Sequence, residues 1–180
     1  MKTKVVNIIS GPGSGKSLMN CLIFTELKMM HYKVELVQEK AKELIYQKKF
    51  DILNDQFRVS TMQYNMIKSI DGQVEYITAD SGIITGVYYN RHYATNTSDK
   101  KKTEEMILEK NSEFDNIYIF LERNPEYEFE TNGRVHNEVE SKVIDIQLKE
   151  MLFELHLPFK SFVSDRKNIP AILEYIFSFN

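Results

Sequence analysis

The sequence predicts an α/β fold in three layers: a mainly parallel, five-stranded sheet with helices on both faces. Two observations predict it. Short apolar runs of strand length alternate with longer stretches of helical spacing along all 180 residues. The first such run, Val5 to Ile9, ends in a glycine-rich turn that opens directly into a helical stretch. Strands that alternate with helices need crossover connections, which are right-handed and lay helices on both faces of a parallel sheet.

The elements follow in order. Val5 to Ile9 is β-branched and mostly apolar, the signature of a strand buried on both faces, and is expected at the centre of the sheet. From Lys16 to about His31 glycine and proline are absent, and Leu18, Leu22, Ile23, Leu27 and Met30 recur at helical spacing. Val34 to Val37 reads as the second strand. Residues 39–70 carry helical patterning with a break near Phe50, where Asp51 is placed to cap the next helix. Val74 to Ala79 is the third strand, followed by a short apolar helix through Tyr89. Arg91 to Lys102 is polar and of mixed charge, and is expected to be a mobile surface loop. A helix over 103–110 precedes the clearest strand of all, Ile117 to Leu121. After a polar segment with Pro125 and Gly133, a helix over 135–155, a strand at Phe159 to Val163 and a helix from Ile169 to Phe177 close the chain.

The length suits one domain, expected to span 1–180, because single domains run to about 100–200 residues. Hydrophobic residues at 42% and charged residues at 27% exclude a disordered or collagen-like chain. A net charge of -3 gives no overall attraction to nucleic acid, so any such contact must come from a local basic patch. Cys21 is the only cysteine; it excludes an internal disulfide and a multi-cysteine zinc site, and its neighbours Leu18, Leu22 and Phe24 suggest packing. The N-terminal apolar run is too short for a signal-peptide core, and no run approaches the roughly 18 apolar residues of a membrane span. A cytoplasmic location without membrane contact is expected.

Ser10-Gly11-Pro12-Gly13-Ser14-Gly15-Lys16-Ser17 fits the phosphate-loop pattern except that serine takes its first position. Gly11, Gly13 and Gly15 allow backbone dihedrals closed to other residues, so that successive N–H groups converge on phosphate oxygens at the positive end of a helix. Lys16 would bridge the β- and γ-phosphates and the Ser17 hydroxyl would ligate Mg²⁺. The nucleotide-binding set is therefore Gly11, Pro12, Gly13, Ser14, Gly15, Lys16 and Ser17, for ATP with GTP left open.

In parallel sheets ligands sit at the carboxyl ends of strands. Asp80, after the third strand, would hold Mg²⁺ there, or else cap a turn before Ser81-Gly82. Glu39, after the second, suits a general base facing an acceptor hydroxyl, or a first-turn glutamate stabilised by the helix dipole. Arg123 and Arg134 flank a polar segment with Tyr127, Glu128 and Glu130, which reads as a lid over about 122–134 or as two solvated arginines. The four histidines lack metal-ligand spacing and read as surface or packing residues. Tyr88 to Tyr93 suits core packing better than base stacking, and Gln56, Arg58 and Gln63 a solvated helix face. Lys100 to Lys102, beside Glu104 and Glu105, reads as a solvated segment.

The phosphate loop together with Val34 to Glu39, Ile77 to Ser81 and Phe120-Leu121-Glu122-Arg123-Asn124-Pro125-Glu126-Tyr127 resembles small bacteriophage P-loop ATPases and kinases. These are grouped near nicotinamide riboside kinase-like domains, and some are kinases for 5-hydroxymethyldeoxyuridine in DNA. The resemblance implies a three-layer P-loop NTPase, nucleoside-kinase-like fold. It implies a kinase that moves the γ-phosphate of ATP, with Mg²⁺, to a hydroxyl of a nucleoside, a nucleotide or a modified DNA base, in the host cytoplasm. Carried over by position, Lys16 and Ser17 contact phosphate and Mg²⁺, Asp80 is the acidic residue of the third strand, and Arg123 and Arg134 belong to the lid. Two departures stand out: Ser10 at the loop's first position and Gly82 where relatives often carry proline. A reading from another class is an NTP-dependent switch acting on a partner protein.

Overall fold

A computed structural model describes residues 2–129 and 135–179. The chain runs through β1 (Lys4–Ile9), α1 (Lys16–Met29), β2 (Val34–Val37), α2 (Lys40–Tyr46), α3 (Phe50–Leu53), α4 (Gln56–Lys68) and β3 (Tyr76–Asp80). It continues through α5 (Thr85–His92), α6 (Lys100–Ser112), β4 (Asp115–Glu122), α7 (Glu138–Glu154), β5 (Phe159–Val163) and α8 (Ile169–Phe177). The five strands form one sheet in the order β2-β3-β1-β4-β5, with every pairing parallel. β1 lies at the centre, as its apolar run predicts.

The two-residue period of the strands sorts side chains into two cores. Val6 and Ile8 of β1 with Ile117, Ile119 and Leu121 of β4 face α1 and α8, where Met19, Ile23, Leu27, Ile172 and Ile176 meet them. Val5 and Ile9 with Tyr118 and Phe120 point the other way, toward Ile67, Ile84, Ile107, Leu148 and Leu152. All five of these latter side chains are at most 1% exposed, and burying each contributes roughly 1.5–3 kcal/mol before entropy is counted. Among the described residues no helix is long and apolar enough to cross a membrane.

Several local expectations need correction. The cap of α4 is Asp55, whose side chain accepts from the Arg58 N–H, while Asp51 lies inside α3. β3 begins at Tyr76 rather than Val74. Cys21 is exposed, because the buried stripe of α1 is Met19, Ile23 and Leu27; Leu18 and Met30 are also outside it. The polar stretch 91–102 is not an open loop. α5 runs on to His92, α6 starts at Lys100, and the Asn96 side chain donates to both oxygens of fully buried Asn90 and accepts from Ser98. Arg91 closes the same region through Glu104 and Glu154.

α7 starts at Glu138, three residues after the apolar pattern begins. Asn137 and Glu140 form a reciprocal capping box: the Asn137 side chain accepts the Glu140 N–H and the Glu140 carboxylate accepts the Asn137 N–H. Asn137→Ala should lower unfolding free energy by about 1 kcal/mol through loss of this cap. Urea unfolding of the variant beside the wild type measures it.

Candidate functional site

The loop between β1 and α1 is built at the carboxyl end of the sheet's central strand. Gly13 (φ 77) and Gly15 (φ 89) take left-handed conformations that other residues enter only with strain. Gly15 is the N-cap of α1, makes no side-chain cap bond, and the first turn of α1 carries no acidic side chain, which leaves first-turn N–H groups available to an anion. Gly11 differs from expectation, since its φ is not in the left-handed region. A Cβ there would lie 2.7 Å from Asp145 Oδ1 and 2.7 Å from the Ser141 carbonyl, so Gly11 is set by close packing against α7. The Phe129 ring and the Ser164 hydroxyl occupy the space beside Gly13 and Gly15 in the same way. Lys16 is only 8% exposed and curls back, its ammonium donating to the Gly11 carbonyl at 3.0 Å.

Asp80 is the last residue of β3, and the parallel register places it beside Ile8 of β1. Its Oδ2 accepts from the Ser17 hydroxyl at 2.5 Å. Its Oδ1 is buried with no hydrogen-bond partner among the described residues. A hydroxyl against a carboxylate whose second oxygen is buried and unused is a donor set that fits a hard divalent cation holding further ligands from phosphate and water. Among the described residues no cluster of three or more His, Cys, Asp or Glu side chains could bind a metal by itself.

Behind Asp80 the chain is under constraint. Ser81 adopts a left-handed φ of 61 and donates its N–H to the Ile8 carbonyl. Gly82 presses on Asn7 of β1, and a Cβ at residue 82 would stand 1.9 Å from Asn7 Oδ1. Asn7 is 1% exposed and held by donation to the Val5 carbonyl and to Asn116 Oδ1. The departure at Gly82 thus has a local cause: Asn7 fills the space that any β-carbon, proline's included, would need.

A pocket opens between α2, α4 and α5 and reaches Pro12 and Lys16. Ala41, Ile45, Leu53, Val59 and Ile83 give it apolar walls, and Glu39, Gln56, Gln63, Tyr89, Tyr93 and His136 add polar and aromatic groups. Gln56 and Gln63 are 4% and 6% exposed, so the expected solvated face is corrected for these two; Arg58 alone is exposed. Gln63 accepts the Lys40 N–H at 2.9 Å and donates to the Gln38 carbonyl, and so pins the β2–α2 junction where Glu39 is the N-cap residue. The aromatic pair divides: Tyr88 packs in the core with its hydroxyl on Gln147, whereas Tyr89 lines the pocket. His136 also lines the pocket rather than plain surface, and burial holds its imidazole below the usual range against an opposing pull from Glu140.

Arg123 does not extend into solvent. It pairs with Asp145 of α7, and one terminal nitrogen donates to the Pro12 carbonyl at 2.8 Å and to the Ser141 carbonyl at 3.1 Å. Arg134, Glu130 and Gly133 of the expected lid lie outside the described residues. The structure thus gathers Lys16, Ser17, Glu39, Asp80 and Arg123 around the carboxyl ends of β1, β2, β3 and β4. Sequence reasoning missed Asp145, Ser164, Phe129 and Asn7, which reach the site through tertiary packing that local pattern does not encode, and it placed Tyr93 in the core, whereas Tyr93 lines the pocket.

Comparison with known proteins agrees with this architecture. A family model described as AAA domain matches residues 5–166, and the chain belongs to that family. Among solved structures, a NadR protein in complex with NR aligns with a TM-score of 0.71 at 18% identity, over 96% of this chain and 51% of that one. A NadR protein in complex with NAD and AMP-PNP gives 0.63 at 17% identity, over 96% and 49%. The chain spans about half the length of these two proteins. A deoxyadenosine kinase from M. mycoides, with products dcmp and dcdp, gives 0.60 at 17% identity, over 98% of this chain and 100% of the other. These likenesses establish the fold, a P-loop α/β fold with a five-stranded parallel sheet. No curated protein matches the sequence.

Two outcomes follow. Gly82→Ala should destabilise the protein by about 1–3 kcal/mol, the usual cost of overpacking, and Asn7→Ala should recover part of that loss in the double variant; denaturant titration decides it. Burial keeps the folded-state titration of His136 below its ordinary value, so the unfolded chain binds more protons just below the ordinary pKa. Stability should therefore fall as pH drops from about 6.5 through the lower folded value, and should fall less in His136→Asn. Thermal unfolding between neutral and mildly acidic pH measures the difference.

Proposed function

We propose that this chain is an ATP-dependent kinase acting on a hydroxyl of a nucleoside, a nucleotide or a base presented by DNA. The single observation that carries the reading is that the pocket and the phosphate loop meet at Lys16 and Pro12. The pocket between α2, α4 and α5 ends on Lys16 and Pro12, so an acceptor seated there meets the phosphate loop directly. Apolar walls with two buried glutamines and two tyrosines suit a flat, polar-edged ring. Such a pocket suits a free nucleoside or nucleotide, or a base rotated out of a DNA duplex, as enzymes acting on bases require. The named ligands of the NadR proteins and the deoxyadenosine kinase, NR, NAD, AMP-PNP, dcmp and dcdp, are of the same chemical kind.

In this reading residues 1–180 act as one kinase domain with a lid over about 122–134. The N–H groups of Gly13 to Ser17 cradle the phosphates, and Lys16 exchanges its bond to the Gly11 carbonyl for the β- and γ-phosphate oxygens. Ser17 and Asp80 would hold Mg²⁺, and a bound Mg²⁺ would supply charge neutralisation on the phosphates. Glu39, at the mouth of the pocket, accepts the acceptor's hydroxyl proton. The acceptor oxygen forms a bond to the γ-phosphorus while the bond to the β–γ bridging oxygen breaks, and ADP leaves. Arg123 flanks the loop, with its second terminal nitrogen carrying none of the bonds described above, and Arg134 is the lid's other cation.

Incubation with γ-labelled ATP, Mg²⁺ and a panel of nucleosides, nucleotides and DNA with hydroxymethylated bases tests the proposal. Label should appear in one acceptor class. Label only in free phosphate would contradict the kinase reading and turn it toward a switch acting on a partner protein. Lys16→Ala should keep the fold and weaken ATP or GTP binding by roughly 100-fold or more, as expected when a charged phosphate contact is lost. Glu39→Gln should bind ATP normally and lose about 100-fold or more in turnover, within the range for a general base; full activity would remove Glu39 from that role.

A further inference from the structure

The base of the phosphate loop is gripped from outside by α7. The Asp145 carboxylate accepts the Gly11 N–H at 2.6 Å, the Ser10 hydroxyl at 3.0 Å and the Nε of Arg123. The Asp145 and Arg123 side chains are each 16% exposed. Arg123 in turn bridges the Pro12 carbonyl and the Ser141 carbonyl. Gly11 is glycine because this grip leaves no room for a β-carbon: Asp145 Oδ1, the Ser141 carbonyl and Arg123 all approach its place within 3.1 Å. A second tie, the pair between Lys149 of α7 and Glu122, fastens α7 to the end of β4.

We propose that Asp145 is a positioning residue for the phosphate loop. The proposal rests on the nucleotide-binding reading of Gly11 to Ser17. It deepens that reading by naming what holds the loop in shape before a nucleotide arrives. Phosphate loops need a fixed peptide orientation at the outset, since fixed donors spare reorganisation on binding. Here the outer peptides, residues 10–12, are fixed by the carboxylate and guanidinium, while the inner N–H groups of residues 13–17 stay available. Gly11 is held through both of its peptides: the N–H of the Ser10–Gly11 peptide goes to Asp145 and the carbonyl of the Gly11–Pro12 peptide accepts Lys16. When Lys16 turns to phosphate, Asp145 still fixes the first of these two peptides.

The test uses Asp145→Ala, Asp145→Asn, Gly11→Ala and the double variant Asp145→Ala/Arg123→Gln. The readouts are Gly11 amide hydrogen exchange by NMR without nucleotide, and Mg·ATP affinity by calorimetry. Asp145→Ala should speed Gly11 exchange roughly 10-fold or more and weaken ATP binding roughly 10- to 100-fold, the scale of a lost charge-assisted bond. Asp145→Asn keeps an acceptor oxygen for Gly11 and should recover much of both losses. Gly11→Ala should reproduce the Asp145→Ala effects, and serves together with Asp145→Asn if Asp145→Ala does not fold. In Gly11 exchange, the double variant should be no worse than Asp145→Ala alone, because the two side chains brace the loop as one unit. Unchanged Gly11 exchange and ATP affinity in Asp145→Ala, or a further additive rise of Gly11 exchange in the double variant, would overturn the proposal. Wild-type protein that binds no ATP would overturn the nucleotide reading instead, and Gly11 exchange still judges the brace by itself.

Discussion

The 2.5 Å bond from the Ser17 hydroxyl to the Asp80 carboxylate can form only if several independent features of the chain agree. β1 and β3 must pair in parallel with Ile8 beside Asp80, so that both strands deliver their ends to one place. The backbone must then turn between Ile9 and Lys16, which Gly13 and Gly15 permit by entering a region of φ that other residues avoid. Helix α1 must start at once, so that Ser17 falls in its first turn and faces the neighbouring strand.

That contact sits in an interior that is polar for a purpose. A buried carboxylate oxygen without a partner is costly, and Asp80 Oδ1 has none among the described residues. Ser81 adds a strained left-handed backbone, and Asn7 places an amide in the middle of the central strand, where Gly82 has to make space for it. Such costs concentrate where a site is prepared for a ligand, and the apolar cores on the two faces of the sheet supply the stability that tolerates them. The same division explains why α1 carries buried Lys16 and Asn20 at its first turns and Ile23 and Leu27 beyond them.

Much of the fold was legible because strand and helix periods leave strong local marks. The central strand, the strand at Val34 to Val37, β5 and α8 fall where the sequence places them, since apolar runs bounded by turns have few alternatives. The helix borders were less legible. Asn137 with Glu140 carried a readable capping signal, yet the apolar pattern starting at Val135 pointed three residues earlier. Within the site, the loop residues were visible because their pattern is contiguous. Asp145 was not, because it meets Gly11 across 134 positions, and an aspartate in a helix looks like any solvated one. Gln56 and Gln63 were misplaced for a related reason: polar side chains at helical spacing do not reveal that their face closes over a pocket rather than water.

The meeting of a phosphate loop and a second pocket at Lys16 is the centre of the functional reading, and amide chemical-shift mapping with Mg·AMP-PNP probes it most directly. Titration should move the resonances of Gly13 to Ser17 and Asp80 first and leave Gln56, Gln63 and Tyr89 near their starting positions. Shifts confined to the α2, α4 and α5 pocket, or none at the loop at saturating nucleotide, would contradict it.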